Sequence, residues 1–301
     1  MQAVLIRETG TPEVLHFEEA DRPDPGDGQV LIRVHAAAVN PTDWKARRGL
    51  SETRLPAVLG RDVSGAVELS RADGFAEGDE VFGWAGTGGY AEFTASPAGL
   101  IATKPDGVTH EQAAAIPVAG VTAWQALFDR GGLQRGQTAL IAGAAGGVGH
   151  FGVQFASHAG AHTIGTGSSR NRDFVLGLGA NEYVDYTQQD VADAVSEVDV
   201  ALDTVGGETT QTVVPTLSEG GIIVTIASAP PEEAARERGA RAELGATSPN
   251  AEQLTEVAEL VAGGEVHVEL AEVLPLTDVA RAHELSESLH TRGKIVLTVE
   301  S

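Results

Sequence analysis

The segment Ala139-Leu-Ile-Ala-Gly143-Ala-Ala-Gly146-Gly147-Val148-Gly149 joins a short apolar run to glycines spaced for a sharp turn. Helical spacing follows at once, with Val148, Phe151, Phe155 and Ala159 on one face. A strand that enters a helix through such a turn aims the first N–H groups of the helix at a pyrophosphate, which is dinucleotide-binding geometry. The next apolar strand, His162-Thr-Ile-Gly-Thr-Gly167, would ordinarily end in an acid for the adenosine ribose. Here the chain reads Ser168-Ser169-Arg170-Asn171-Arg172. Hydroxyls and guanidinium groups suit a 2′-phosphate that a carboxylate would repel, so NADPH is expected rather than NADH. The competing reading of this segment is a solvated loop that caps the next helix.

Other chemistries are poorly served. The chain has no cysteine, which removes disulfides, thiol nucleophiles and cysteine-bound zinc together. His110-Glu111 and His283-Glu284 begin like the helical zinc motif but lack its second histidine. His158 and His162 are four apart, yet Gly160 intervenes and His162 belongs to a strand. No metal site is expected.

These residues need a scaffold, and 301 residues at 42% hydrophobic content suffice for two globular domains. Twenty basic against 43 acidic residues give a net charge of −23, which disfavours nucleic acid and anionic membranes as partners. The N-terminus lacks the basic start and apolar stretch of a secretory signal. The most apolar stretch, residues 113–128, is broken by Pro117, Gly120 and Gln125 and is too short to span a bilayer. A cytoplasmic location is the expectation.

Up to about Leu100, short alternating segments such as Val30–Val34, Gly65–Leu69 and Tyr90–Thr94 are separated by glycine, proline and aspartate, predicting a mostly β domain. Helices are predicted over Thr109–Ile116 and Val118–Arg130, the second closed by Gly131-Gly132. Strands near 138–142, 162–166, 182–184, 198–203 and 222–227 then alternate with helices, as in a parallel sheet wound on both faces. Arg241–Gly245 is a candidate sixth strand, followed by a helix over 251–262 and a closing strand, Lys294–Val299.

The order and spacing of several short motifs carry a family resemblance. They are Ala38-Val-Asn40-Pro41-Thr-Asp43-Trp44-Lys45, Leu59-Gly60-Arg61-Asp62-Val-Ser-Gly65, Ala115-Ile-Pro117-Val-Ala-Gly120-Val-Thr122-Ala-Trp124, Leu178-Gly179-Ala180, Asp185-Tyr186, Asp203-Thr-Val-Gly206-Gly207 and Arg292-Gly293-Lys294-Ile-Val-Leu297. On these the chain resembles the zinc-independent, zeta-crystallin-like quinone oxidoreductases of the medium-chain dehydrogenase/reductase superfamily.

The resemblance implies an α/β architecture in which a Rossmann doubly wound parallel sheet is inserted into a GroES-like β-barrel catalytic domain, with the active site in the cleft. The implied boundaries are 1–118 for the catalytic domain, 119–263 for the NADPH-binding domain and 264–301 for the return. Where zinc-dependent relatives carry ligands, this chain reads Asn40-Pro-Thr42-Asp43 and Gly60-Arg61-Asp62. Catalysis is therefore expected to rest on positioning and on the cofactor, with hydride passing to a quinone or an enone. Asn40 is the expected catalytic and nicotinamide-side residue, with Trp44, Trp84 and Tyr90 as walls of an apolar slot. Carried over by position for the cofactor are Thr122, the turn Ala145, Gly146, Gly147 and Val148, and Ser168 and Arg170 on the 2′-phosphate. Tyr186 is placed beside the adenosine, Val205 and Ala227 on the nicotinamide side, and Lys294 at cofactor or substrate. A homodimer through the sheet edge near Arg241–Gly245 is implied as well. Competing readings are an NADPH-dependent enone or alkenal reductase and a non-catalytic NADPH-binding redox sensor.

Overall fold

In the computed structural model, which describes residues 1–299, the apolar run Val30–Val34 lies inside an eleven-residue strand that is the spine of the first of two compact units. In chain order this first unit contributes β1 (Gln2–Ile6), β2 (His16–Glu19), β3 (Gln29–Val39), β4 (Ala57–Val58), β5 (Asp62–Ser70), β6 (Glu80–Trp84), β7 (Phe93–Pro97) and β8 (Ile101–Thr103). The second unit contributes β9 (Thr138–Ala142), β10 (His162–Gly167), β11 (Glu182–Asp185), β12 (Val198–Asp203), β13 (Leu217–Thr225) and β14 (Arg241–Leu244). The chain then returns to the first unit with β15 (Leu270–Pro275) and β16 (Lys294–Thr298).

The first unit pairs its strands in the order β15-β16-β3-β5-β6-β8, with β7 also on β3, beside a smaller sheet β2-β1-β4. Among the described residues this pairing traces an open path rather than the ring of a closed barrel. Val30, Ile32, Val34, Val63, Val81, Ile295 and Leu297 fill its core. Of the segment Tyr90–Thr94, only the end from Phe93 joins a strand. Ala91 makes a single bridge to Ala3, and the Tyr90 hydroxyl is drawn to Asp43.

In the second unit every strand pair is parallel, in the order β11-β10-β9-β12-β13-β14. Ala139–Ala142, Val200–Leu202 and Ile222–Val224 are buried without alternation, as helices on both faces require. The strand order reverses beside β9, the switch point at which open α/β sheets bind ligands beyond their carboxyl ends.

The helix expected over Val118–Arg130 starts at Pro117 and widens into a π-turn at Gln125–Arg130. There the Gln125 amide both donates to Ser248 O, at 2.7 Å, and accepts its N–H, at 3.0 Å. The helix Ala251–Gly263 groups with the first unit, where it contacts β8 and buries Leu254, Val257 and Ala258. Residues 264–269 return to the second unit because the Gln154 amide grips both the N–H and the carbonyl of His267, at 2.7 and 2.9 Å.

Candidate active site

Asn40 closes β3 and caps the short helix Pro41–Arg47. Its backbone N–H donates to Asp43 Oδ2 at 2.8 Å, one arm of a capping box. The Asn40 Nδ2 donates to Asp62 Oδ2 at 2.9 Å, and its Oδ1 accepts from Lys294 Nζ. Asp62 opens β5 and also receives the Val118 N–H, at 3.2 and 3.3 Å to its two oxygens. Lys294 opens β16, donates to Val39 O at 3.4 Å and lies 3.9 Å from Asp62 Oδ2. Antiparallel pairing sets Asp62 opposite Ala38 and Ile295 opposite Val39, so the sheet register brings the three side chains together.

Two carboxylates and one ammonium thus share a buried polar cluster. Burial raises Asp43 to about 7, against the lowering effect of the Asn40 N–H, and neighbouring Asp62 raises it further. Burial also lifts Asp62 to about 6 although Lys294, Asn40 and Val118 favour its charged form. It pushes the Lys294 ammonium down, against the pull of Asp62 and Asp43. Asp43 and Asp62 carry no expected role in the sequence. The available sign was local: an acid three residues after an N-cap asparagine, and an acid opening an apolar strand.

Two of the expected slot walls have other work. Tyr90 is wholly buried, donates to Asp43 Oδ2 at 2.9 Å and meets the His283 ring edge-on at 5.7 Å. Its ring also fills the space where residue 60 would carry a side chain: a Cβ on Gly60, whose φ is +86°, would lie 2.4 Å from Tyr90 Cδ1. Tyr90 therefore lines no accessible surface, in contrast to the expectation. Trp84 is buried too, and its carbonyl accepts from Ser96 Oγ at 2.6 Å. Trp44 is half-buried with Lys45 and Arg48 over its ring, and its buried indole N–H has no partner among the described residues. Lys294 points into the Asn40–Asp62 cluster.

In the second unit the expected cofactor residues collect along the carboxyl edge of the parallel sheet. The turn after β9 leads into the helix Gly149–His158, whose N-terminus no side chain caps. A Cβ on Gly149 would approach Gly143 O to 2.1 Å, so the turn can close this tightly only with glycine there. Ala145 is buried, whereas Gly146, Gly147 and Val148 are partly exposed. An uncapped helix start with glycines before it fits a pyrophosphate.

Beyond β10, Ser168 is partly exposed and Arg170 exposed, and Tyr186 is exposed after β11. Asp185, level with Gly167 across the β10–β11 pair, is occupied: Ser169 Oγ bonds one oxygen, while Thr187 N and Oγ1 bond the other at 2.9 and 2.7 Å. Val205 and Ala227 are exposed at the ends of β12 and β13. Buried Asp203, which the sequence motif left without a task, shapes the Val205 loop by accepting the Val205 and Gly206 N–H groups, both at 2.9 Å. Thr122, expected near a pyrophosphate, is buried, and its hydroxyl bonds that of Thr247. Among the described residues, no group of three or more His, Cys, Asp or Glu side chains is disposed to hold a metal ion. None of their helices is long and apolar enough to cross a membrane.

Comparison with known proteins agrees with this architecture. Residues 26–106 match the alcohol dehydrogenase GroES-like domain, and residues 178–297 match a family described as zinc-binding dehydrogenase. The quinone oxidoreductase of Mus musculus is 32% identical, over 98% of this chain and 96% of its own. An NADPH-dependent alkenal/one oxidoreductase of Arabidopsis thaliana is 33% identical, over 99% and 79% respectively. The structure of the quinone oxidoreductase from Coxiella burnetii is 34% identical and superposes with a TM-score of 0.94, covering 100% of this chain and 99% of that one.

A nucleotide-dependent oxidoreductase scaffold is what this parallel sheet, set within a GroES-like unit, defines. The chain belongs to the quinone oxidoreductase family of the medium-chain dehydrogenase/reductase superfamily.

Proposed function

We propose that the protein is an NADPH-dependent quinone reductase that works without zinc. The observation that carries this reading is the uncapped helix start at Val148–Gly149, on the carboxyl edge of the parallel sheet beside its switch point. Gly146, Gly147 and Val148 would receive the pyrophosphate, and Ser168, Arg170 and Tyr186 the adenosine end. The choice of NADPH is supported by the hydroxyls and guanidinium group of Ser168-Ser169-Arg170 after β10, which suit a phosphate, while both oxygens of Asp185 at the end of β11 are already bonded, one to Ser169 and the other to Thr187. When bound, the nicotinamide supplies a hydride.

The chain's own residues then bind, orient and polarise. Asn40 presents an amide N–H to the substrate oxygen, and the unpartnered Trp44 indole N–H offers a second donor. A substrate that is already electrophilic, such as a quinone, needs no Lewis acid beyond these donors. Independence from zinc is supported by the absence of cysteine and by the engagement of Asp43 and Asp62 in hydrogen bonds inside the first unit. The Arabidopsis relative's name favours a second reading, an enone or alkenal reductase.

Following NADPH absorbance with benzoquinone and then with a short enone, each with and without a chelator, tests both readings. Quinone turnover that survives the chelator supports the proposal. Loss of activity on chelation removes zinc independence, and NADPH binding without oxidation by either substrate leaves a sensor.

A further inference from the structure

The Asn40 amide cannot turn over in its socket. Its oxygen faces the Lys294 ammonium and its nitrogen faces the Asp62 carboxylate. A flip would set carbonyl against carboxylate and NH₂ against ammonium, in surroundings where like ends repel strongly. Relative exposures of 2% for Asn40, 0% for Asp62 and 4% for Lys294 exclude rescue by bulk water. The Asp62 carboxylate also bonds the Val118 N–H, so it ties the start of the helix Pro117–Trp124 to the end of β3 and the start of β16. Apolar side chains of similar volume are often no costlier to bury than an ion pair of this kind.

We infer that Asp62 and Lys294 are positioning residues that lock the Asn40 side-chain amide in one orientation, leaving its second Nδ2–H as a fixed donor for the substrate oxygen. This inference rests on the proposed role of Asn40, but the lock and the donor role separate experimentally. Removing Lys294 frees the amide to rotate. Neutralising Asp62 removes the charge that holds its nitrogen end.

The test compares Asn40→Ala, Lys294→Met, Asp62→Asn and the double variant Asn40→Ala/Lys294→Met, with NADPH and benzoquinone. Lys294→Met should lower kcat about 10- to 100-fold while KM stays within about threefold, since a misaimed donor fails in the transition state more than in binding. The double variant should be no slower than Asn40→Ala alone, because Lys294 acts through Asn40. Losses that multiply in the double variant, or wild-type kcat in Lys294→Met, overturn the inference. A second readout needs no turnover: the Asn40 side-chain amide signal in ¹⁵N-resolved NMR, assigned by its disappearance in Asn40→Ala. Its proton exchange should accelerate at least about tenfold in Lys294→Met and in the nearly isosteric Asp62→Asn. Unchanged exchange in both overturns the lock. Accelerated exchange together with full activity of Asn40→Ala removes the donor role and leaves the lock standing.

Discussion

Tyr90 and Asp43 are 47 residues apart in sequence and joined at 2.9 Å by a phenolic hydroxyl that donates to a buried carboxylate. The same Asp43 oxygen receives the Asn40 N–H, so this one bond connects the tyrosine to the helix that begins at the candidate catalytic residue. The bond favours the charged form of Asp43, and burial opposes it.

Tyr90→Phe should therefore destabilise the protein by about 1–3 kcal/mol, the cost of leaving a buried acceptor one donor short. Urea unfolding measures this. Little change at neutral pH would mean that Asp43 sheds its charge without penalty.

Stability should also depend on pH through Asp43. Its carboxyl rises from an ordinary 3.8 to about 7 on folding, so the native state holds the proton more tightly than the unfolded state. The stability contribution is complete below the unfolded value and is lost as pH rises toward 7. Asp62, raised to about 6, acts in the same direction. Asp43→Asn should flatten the decline over this window by up to about 1.4 kcal/mol per pH unit. Denaturant midpoints measured across the range would show it.

His283 works in the opposite sense. Burial, and then the nearby Arg47 charge, hold its imidazole down at about 3, and neither ring nitrogen has a hydrogen-bond partner among the described residues. The unfolded chain takes up this proton near 6.5 and the native state does not, so wild-type stability falls as pH drops from there toward 3. In His283→Leu that loss should vanish. The variant's advantage over wild type should widen steadily on acidification, which thermal melts at a series of pH values would detect.

For the cofactor, Arg170→Ala should raise the Kd for NADPH about 10- to 100-fold, the worth of a charge-assisted contact to phosphate, and leave NADH nearly unaffected. Calorimetry with both dinucleotides decides this. Equal losses for the two would place Arg170 away from the 2′-phosphate.

Association through the second unit makes a separate prediction. β14 is an edge strand of the six-stranded sheet and exposes Leu244. If two copies pair along it, Ala242→Pro should convert a dimer to a monomer in sedimentation, because proline removes a ladder donor. A variant that sediments like wild type would exclude this edge.

How far the sequence could be read follows from the range of each interaction. The glycine turn after β9, the six parallel strands and the loop Asp203–Gly207 are local patterns, and hydrophobic period with turn chemistry sufficed to place them. Asn40 was singled out by the family resemblance, since an Asn-Pro pair read locally is only a turn. Its partners were not legible: Asp62 lies 22 positions away and Lys294 lies 254 away, and only the pairing of β3 with β5 and β16 brings them together. Tyr90 reads as a wall residue only through the slot expected of the family, whereas the two glycines before it suggest packing at the end of a loop. The void left by Gly60, which draws its ring inside, has no local signature. The helix Ala251–Gly263 was correctly foreseen as a helix, but the unit it joins depends on what its apolar face meets.

The grip of Gln154 on His267 bears on any attempt to transplant the nucleotide-binding half of this chain. A cassette cut as residues 119–248 would omit 264–269, and the nearly buried Gln154 would lose both its peptide donor and its peptide acceptor across a span of 113 positions. A workable graft must carry the outlying hexapeptide, joined by a new linker, or replace the glutamine with an apolar residue that asks for nothing.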